Sequence, residues 1–380
     1  MSVRTSVDLD DIVSTLPAQD RPPPGSGVER RLRTLTMAMA REARLSALGR
    51  HLAHQEVARW LRARGELEAV APAATPPAGA TAGRAPERLG PVVITGLPRT
   101  GTTLLHSLLA CIDGTVAPRT WQYDHPAVVI HPEPAAVERA RAATTERLAG
   151  LARLAPRLAD AHPMATDAPE ECDAELLLEA ESFRALVYWD VPSYVRAWTH
   201  GPSDETYRRL AAVVAGLHPT AVPVLKAPGH LAAIGPMLAV WPGAHLVAIH
   251  RPADEVVASW ASLVGTARRI FSNEVRPAEE LAAESLATFT ALVDRATDDR
   301  ALVPTGSWVG IGAGELRADP VGCAEAVAER VGLTVTETAR RSMARVVADD
   351  LRRPPHRYEA VPADASVERL DRRYRELVLG

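Results

Sequence analysis

Several features are scarce in this chain of 380 residues, and each scarcity excludes a class of protein. The three cysteines, Cys111, Cys172 and Cys323, are too widely spaced for a disulfide framework or a zinc site. No apolar run approaches the roughly 20 residues that cross a membrane. The formal net charge of -4 gives no electrostatic reason to expect a nucleic-acid partner. We therefore expect no metal, no membrane span and no nucleic acid. Residues 1–20 lack a secretion-signal pattern, which favours a cytoplasmic protein.

Lysine is almost absent from the chain. Of the 43 basic residues, Lys226 is the one lysine and all the others are arginine. Chance retention is one explanation. The other is that a compact, rotatable ammonium is needed at this position and a planar guanidinium would not replace it. We favour the second, because Lys226 ends an apolar run at 221–226 that is typical of a buried strand.

The most informative stretch present is residues 91–106. A short β-branched apolar run at 92–94 predicts a strand covered on both faces. Gly96 and Gly101 mark a tight turn, and leucines at helical spacing follow at 104–109. A turn of this kind directs backbone N–H groups and a helix N-terminus towards one point, which favours an anion.

This turn is close to the triphosphate-binding pattern G-x-x-x-x-G-K-[ST] but departs from it. Gly96, Gly101 and Thr103 fit, whereas Thr102 stands in place of the lysine and the basic residue is Arg99. A glycine-rich turn without a ligand remains an alternative. The predicted anion-binding residues of the loop are Arg99, Thr100, Gly101, Thr102 and Thr103.

Further strands are predicted at 221–226 and 245–249, each followed by a helical pattern. Strands that alternate with helices predict an α/β fold with a parallel sheet, whose ligands bind at the carboxyl ends of the strands. Arg99, Lys226 and Arg251 each lie at or just after such an end. Three cations from three strand ends predict a polyanion site.

The domain organisation follows from composition. Residues 1–28 are polar and proline-rich and are expected to form a loose arm, and 28–67 predict two helices. Residues 71–86 are rich in alanine, proline and glycine and predict a linker. We therefore divide the chain into an N-terminal part, 1–88, and a main domain, 89–380.

Together, these motifs resemble those of the PAPS-dependent sulfotransferases of bacteria (PAPS is 3′-phosphoadenosine-5′-phosphosulfate). The resemblance covers roughly residues 90–380 and includes the loop and the segment 251–259. It implies that Arg251 and Ser259 hold the 3′-phosphate. It also implies a three-layer sandwich with a central parallel sheet, a P-loop-like phosphosulfate-binding loop and additional N-terminal helices.

The resemblance further implies in-line sulfuryl transfer from PAPS to a hydroxyl group without a metal. Arg99 and Lys226 would act catalytically by stabilising the charge that develops on the leaving phosphate. Transfer or hydrolysis of phosphate from a nucleoside triphosphate is disfavoured, because Thr102 replaces the lysine and the end of the third strand, at 248–251, carries no acidic residue.

Two residues depart from the pattern of the family. Gln122 stands where relatives often have a glutamate base, and Ala313 is nearest in register to a tyrosine that often holds adenine. His230 is our first choice for the catalytic base, since a neutral imidazole accepts a proton near pH 7. Packing at a helix start is the alternative role for His230. Asp124 and His125 are further candidates for the base.

The acceptor is less well defined by the sequence. Four aromatic residues fall within 188–198 of a chain with only 4% aromatics, which favours an apolar small-molecule acceptor such as a secondary metabolite. A carbohydrate or lipid acceptor, or a relative that binds a nucleotide without catalysis, remains open. The helices of 28–67 are candidates for a homo-oligomer interface.

Overall fold

The computed structural model describes residues 6–71, 89–198, 200–218, 220–352, 358 and 364–380. In these residues a central sheet of five parallel strands has the order β2-β3-β1-β4-β5. The strands are β1 (Val92–Thr95), β2 (Thr115–Val116), β3 (Val222–Lys226), β4 (His245–His250) and β5 (Trp308–Gly312). The predicted parallel α/β sheet is confirmed.

Helices account for most of the remaining described chain. The N-terminal helices are α1 (Leu9–Ser14), α2 (Gly27–Arg41) and α3 (Ala47–Val70). Between β1 and β3 lie α4 (Thr102–Leu109), α5 (Thr120–Asp124), α6 (Pro126–Ile130), α7 (Pro134–Leu154), α8 (Pro156–Ala161), α9 (Asp173–Leu176), α10 (Arg184–Tyr188), α11 (Pro192–Trp198) and α12 (Asp204–Leu217). After β3 lie α13 (Ile234–Val240), α14 (Ala253–Arg268), α15 (Ala278–Asp299), α16 (Ala313–Ala318), α17 (Pro320–Arg330), α18 (Glu337–Leu351) and α19 (Ala365–Leu379). Short 3₁₀ turns cover Ala18–Asp20, Leu177–Glu179, Pro228–Ala232 and Arg300–Leu302.

The sheet separates two apolar cores, because successive residues of a strand point to opposite faces. Val93 and Leu225 belong to the larger core, which includes residues of the N-terminal helices and of α14, α15 and α19. Ile94 and Val224 belong to the smaller core, with α4, α17 and α18. Helices on both sides of a parallel sheet form the three-layer sandwich that the resemblance implied.

The register places the ends of the central strands at one level. Ile94 of β1 lies opposite Lys226 of β3, and Thr95 lies opposite Ala248 of β4. The connections that leave β1, β3 and β4 therefore start from the same edge of the sheet. This edge carries Arg99, Lys226 and Arg251.

The N-terminal segment packs more closely than expected. Within the described part of the predicted loose arm, Leu9 and Ile12 of α1 are buried in the larger core. Trp60 of α3 makes an edge-on contact with Trp189, at 5.6 Å between ring centroids. The predicted linker lies almost entirely outside the described residues. The division at residue 88 therefore stays a prediction.

Two properties of the described residues bear on the protein's environment. None of their helices combines the length and the apolar character that crossing a membrane requires. Cys111, Cys172 and Cys323 all lie in described segments and form no disulfide.

Candidate active site

The loop between β1 and α4 has an unusual backbone. Gly96, Arg99 and Gly101 have positive φ angles of 117°, 66° and 103°. Such values are unstrained for glycine but unfavourable for an arginine. The Thr100 hydroxyl donates to the Leu97 carbonyl at 3.0 Å and closes the turn. Gly101 precedes α4, and no side-chain hydrogen bond caps this helix, so its N-terminus suits an anion.

Arg99 is held by two residues of the predicted 3′-phosphate site. Its Nε donates to the Ser259 hydroxyl at 3.1 Å, and its carbonyl oxygen accepts from Nη1 of Arg251 at 2.6 Å. Arg251 also donates to Glu255 at 2.9 Å and to the Tyr358 hydroxyl at 2.6 Å. Burial and the nearby Arg251 guanidinium lower the pKa of Arg99. The fold thus brings Arg99, Arg251 and Ser259 into direct contact.

Lys226 lies beside the same loop. Its side chain is 2% exposed, and its ammonium donates to the Thr103 hydroxyl at 3.2 Å and to the carboxylate of Glu171. The backbone N–H of Cys172 donates to the carbonyl of Lys226 at 2.8 Å and fixes the Glu171 segment against β3. Burial would raise the pKa of Glu171, but the Lys226 ammonium, together with His162 and Arg184, outweighs it and lowers this pKa to about 2. The two side chains form an ion pair beside the helix N-terminus.

A cavity of about 340 Å³ lies beside these residues; Arg99, Thr103, Glu171 and Arg251 line it, whereas the buried Lys226 and Ser259 do not. Its loop side is formed by the residues from Pro98 to Leu104, with Arg251 beside them. Polar groups in the remaining wall are Glu171, Asp173, Arg184, His162, Arg317 and Asp350. Its apolar side chains include Leu158, Met164, Phe183, Val187, Tyr188, Trp260, Leu263 and Leu316. Charged groups and apolar side chains within one cavity wall suit an anionic donor and a less polar acceptor.

Asp173 is a candidate that the sequence analysis missed. It is 2% exposed, and its Oδ1 accepts from the Ser182 hydroxyl at 2.9 Å and from the Phe183 N–H at 3.1 Å. Burial and the neighbouring Glu171 carboxylate raise its pKa to about 7. A carboxyl group with a pKa near neutrality, in a cavity wall, is suited to proton transfer. Its position in a D-A-E-L segment after two other acids gave no signal for this role.

His230 lies behind the cavity wall. It is fully buried, its Nδ1 is 2.8 Å from the Tyr207 hydroxyl, and its Nε2 has no hydrogen-bond partner among the described residues. Burial lowers its pKa to about 3, so the imidazole is neutral. Pro228, two residues earlier, is the nearest member of this turn in the cavity wall.

The further base candidates have structural partners. Asp124 accepts from the Arg147 guanidinium at 2.7 Å and from Thr144 at 3.0 Å, and lies outside the cavity wall. Burial lowers the pKa of His125, which is likewise outside the wall. Gln122 accepts from the backbone N–H of Arg119 at 2.8 Å and so caps α5.

The remaining predictions near the cavity have mixed outcomes. Ala313, the first residue of α16, lines the cavity. Of the aromatic cluster, Tyr188 lines the cavity, whereas Trp189 and Trp198 are core residues outside this wall. Within the described residues, no group of three or more His, Cys, Asp and Glu side chains is arranged to bind a metal.

The fold has close counterparts among solved structures. The sulfotransferase STF1 from Mycobacterium tuberculosis H37Rv superposes with a TM-score of 0.76 at 22% sequence identity, covering 98% of this chain and 99% of STF1. The sulfotransferase STF9 from Mycobacterium avium gives a TM-score of 0.74 at 18% identity, covering 99% and 96%. No curated protein sequence gives a significant match. At these identities the structural likeness establishes the fold.

Membership of a family rests on a separate comparison. A sequence model described as "Sulfotransferase family" matches residues 91–337. The matched range begins immediately before β1 and ends at the first residue of α18. It therefore includes the loop, Glu171, Lys226 and the Arg251–Ser259 segment, and the chain belongs to the sulfotransferase family.

Proposed function

We propose that this sulfotransferase transfers a sulfuryl group from PAPS to a hydroxyl group of a small-molecule acceptor. The observation that carries the proposal is the contact of Arg251 and Ser259 with Arg99 of the phosphate loop. Two basic residues and a hydroxyl group from separate elements meet near the N-terminus of α4, which has no side-chain cap. This combination fits a nucleotide that carries anionic groups at both its 5′ and 3′ positions.

The residues present fit such a donor. The N-terminus of α4 has no side-chain cap, and Thr102 and Thr103 begin that helix within the cavity wall. The backbone N–H groups and hydroxyls there would hold the 5′-phosphosulfate end. Arg251 and Ser259 would hold the 3′-phosphate, and the wall near Ala313 would face the adenosine. PAPS supplies an activated sulfuryl group when it is bound.

Charge stabilisation is the proposed role of Arg99 and Lys226. Transfer places negative charge on the leaving phosphate, and fixed donors in a secluded cavity stabilise that charge more strongly than water does. The Lys226 ammonium is already oriented by Glu171 and Thr103, so little reorganisation is needed during the reaction. These groups bind and orient, which is the main requirement of an in-line transfer.

The identity of the base stays a prediction with two candidates. His230 is neutral but lies outside the cavity wall, and a move of its turn would be needed for contact with an acceptor. Asp173 lines the wall and has a pKa of about 7. We propose Asp173 as the stronger candidate, because it reaches the cavity without rearrangement. Replacing Asp173 by Asn and His230 by Asn, and comparing turnover across pH 5–9, separates the two.

The apolar side chains of the cavity wall support a moderately apolar acceptor. They include Phe183, Tyr188 and Trp260, which suits an aromatic or aliphatic alcohol of secondary metabolism better than a sugar. A carbohydrate or lipid acceptor is the second candidate. A cytoplasmic location remains part of the proposal and is supported by the free cysteines. A homo-oligomer also remains a proposal, although the N-terminal helices expected at its interface pack into the core of their own chain.

The test of the proposal is a calorimetric titration with 3′-phosphoadenosine 5′-phosphate (PAP), the product of transfer, beside ATP. PAP is expected to bind and ATP is not. PAP at 100 times its dissociation constant should also stabilise the fold by about 2.7 kcal/mol. Binding of ATP alone would show that the loop serves triphosphates, and binding of neither would exclude the proposed donor.

A further inference from the structure

The C-terminal helix α19 touches both halves of the proposed nucleotide site. Two of its residues, Asp371 and Tyr374, are three positions apart and therefore lie on one face of the helix. The family match ends at residue 337, so α19 lies beyond it. We propose that Tyr374 and Asp371 are positioning residues, which hold the phosphate loop and the start of α14 in their binding geometry. This inference rests on the proposed function.

Tyr374 contacts the loop directly. Its side chain is fully buried, its hydroxyl accepts from the Leu97 N–H at 2.9 Å, and it donates to the Ile249 carbonyl at 2.8 Å. A Cβ atom on Gly96 would lie 2.4 Å from this hydroxyl. The phenol thus fills the space beside Gly96 and ties the beginning of the loop to the end of β4. Without it, a buried N–H and a buried carbonyl would lose their partners, and the loop would lose its anchor.

Asp371 supports the other half of the site. Its Oδ1 accepts from the backbone N–H of Ala253 at 2.9 Å and lies 3.2 Å from Nε2 of His250. These two residues flank Arg251 and Pro252, and α14 has no hydrogen bond from its own N-cap side chain. Asp371 therefore caps α14 from another element. It fixes the segment that directs Arg251 and, two turns later, Ser259.

The two contacts have separate consequences for a nucleotide. Tyr374 acts on Gly96 and Leu97, at the beginning of the loop that would hold the 5′ end. Asp371 acts on the strand end and helix start that would hold the 3′-phosphate. A helix that is distant in sequence thus sets the relative position of the two phosphate-binding elements. This is a positioning role, since neither side chain lines the cavity.

The first experiment compares Tyr374→Phe with Tyr194→Phe by calorimetric titration with PAP in the full chain. Tyr194 is a matched control, because its buried hydroxyl donates to the Ala180 carbonyl at 2.8 Å, outside the cavity wall. We expect Tyr374→Phe to weaken PAP binding at least tenfold. Tyr194→Phe should bind PAP as the wild type does, even where the melting temperatures of both variants fall. Equal PAP affinities in the two variants would overturn the role of Tyr374.

The second experiment compares Asp371→Ala with Asp319→Ala. Asp319 also caps a helix, because its carboxylate accepts from the Gly322 N–H at 2.9 Å at the start of α17. It is the matched control, since α17 does not carry Arg251 or Ser259. We expect Asp371→Ala to weaken PAP binding several-fold and Asp319→Ala to leave it unchanged. PAP binding by Asp371→Ala at wild-type affinity would overturn the role of Asp371.

Mononucleotides test the division of roles. Tyr374→Phe should lose more affinity for adenosine 5′-monophosphate, and Asp371→Ala more for adenosine 3′-monophosphate. If both variants lost the same affinity for both mononucleotides, separate roles for Tyr374 and Asp371 would be contradicted. The proposed function is judged independently, because it fails if the wild-type protein does not bind PAP at all.

Discussion

Glu171 and Lys226 meet from segments 55 positions apart and form an ion pair under the phosphate loop. The folded-state pKa of Glu171, about 2, is below its ordinary value of 4.5. As the pH falls, the Glu171 carboxylate therefore takes up a proton at a higher pH in the unfolded chain than in the folded protein. The pair contributes its full stability above pH 4.5, and the contribution disappears as the pH approaches 2.

Glu171→Gln tests this pair. At pH 7 we expect the variant to lose about 3 kcal/mol of unfolding free energy, because it leaves the buried ammonium without a countercharge. The difference from wild type should narrow between pH 4.5 and pH 2, as Glu171 becomes protonated in the wild-type protein. Urea unfolding of the wild type and of the variant at a series of pH values measures the unfolding free energy of each. A difference independent of pH would show that the pair does not carry this stability.

Ser259→Ala tests the arginine contact. The variant lacks the hydroxyl that accepts from Arg99 and that would bind the 3′-phosphate. We expect PAP affinity to fall about tenfold, the usual scale for a hydrogen bond to a charged group. Ser262→Ala, on the same helix, is the control and should bind PAP normally, because Ser262 lines a separate cavity. Equal loss in both variants, measured by calorimetry, would contradict the role of Ser259.

Some single residues of the site were predictable from the sequence and others were not. The position of Arg99, Lys226 and Arg251 at one sheet edge was predictable, because each follows a recognisable strand. The contact of Glu171 with Lys226 depends on how two distant segments meet, which local patterns do not contain. Asp173 was missed for the same reason.

At the scale of elements, the turn into α4 depends on its glycine. Gly101 has a φ of +103°, and a Cβ there would approach Leu316 Cδ2 at 3.0 Å. We expect Gly101→Ala to cost roughly 1–3 kcal/mol of stability through backbone strain. It should also weaken PAP binding, because the strain falls on the phosphate loop.

Gly314→Ala is the matched control for that change. Gly314 lies in α16, and a Cβ there would meet no atom within 4 Å. Alanine in a helix should leave stability unchanged or raise it by up to about 1 kcal/mol. Thermal unfolding and PAP titration of both variants make the comparison. Indistinguishable behaviour of the two variants would refute the strain argument.

The sequence predicted β1, β3 and β4 within one residue of their observed bounds. It missed β2, which has two residues and forms only by pairing Thr115 and Val116 with β3. The helical pattern expected after β3 consists of the 3₁₀ turn Pro228–Ala232 followed by α13. Strong periodic patterns were therefore sufficient for long elements. Short ones are determined by tertiary contacts.

At the scale of the molecule, the N-terminal helices share the core of the main domain. Arg64 of α3 and Arg31 of α2 both bind the carboxylate of Glu179, at 2.8 and 2.9 Å. Trp60 packs on Trp189 in the same region. Composition suggested a boundary at residue 88 but gave no information on this contact surface.

A truncated chain, 89–380, tests the boundary. We expect it to lose cooperative thermal unfolding, because the surface covered by α2 and α3 would expose apolar side chains and leave Glu179 without these two arginines. Co-expression with residues 1–71 should restore cooperativity. Circular dichroism and calorimetry give the comparison. A cooperative transition for 89–380 alone would establish it as an independent domain.

The single lysine has a practical consequence. Because the Lys226 side chain is only 2% exposed, amine-reactive esters should leave it unmodified in the folded chain. Modification of Lys226 would appear by mass spectrometry only as the fold opens. The protein thus carries an intrinsic chemical reporter of its own unfolding.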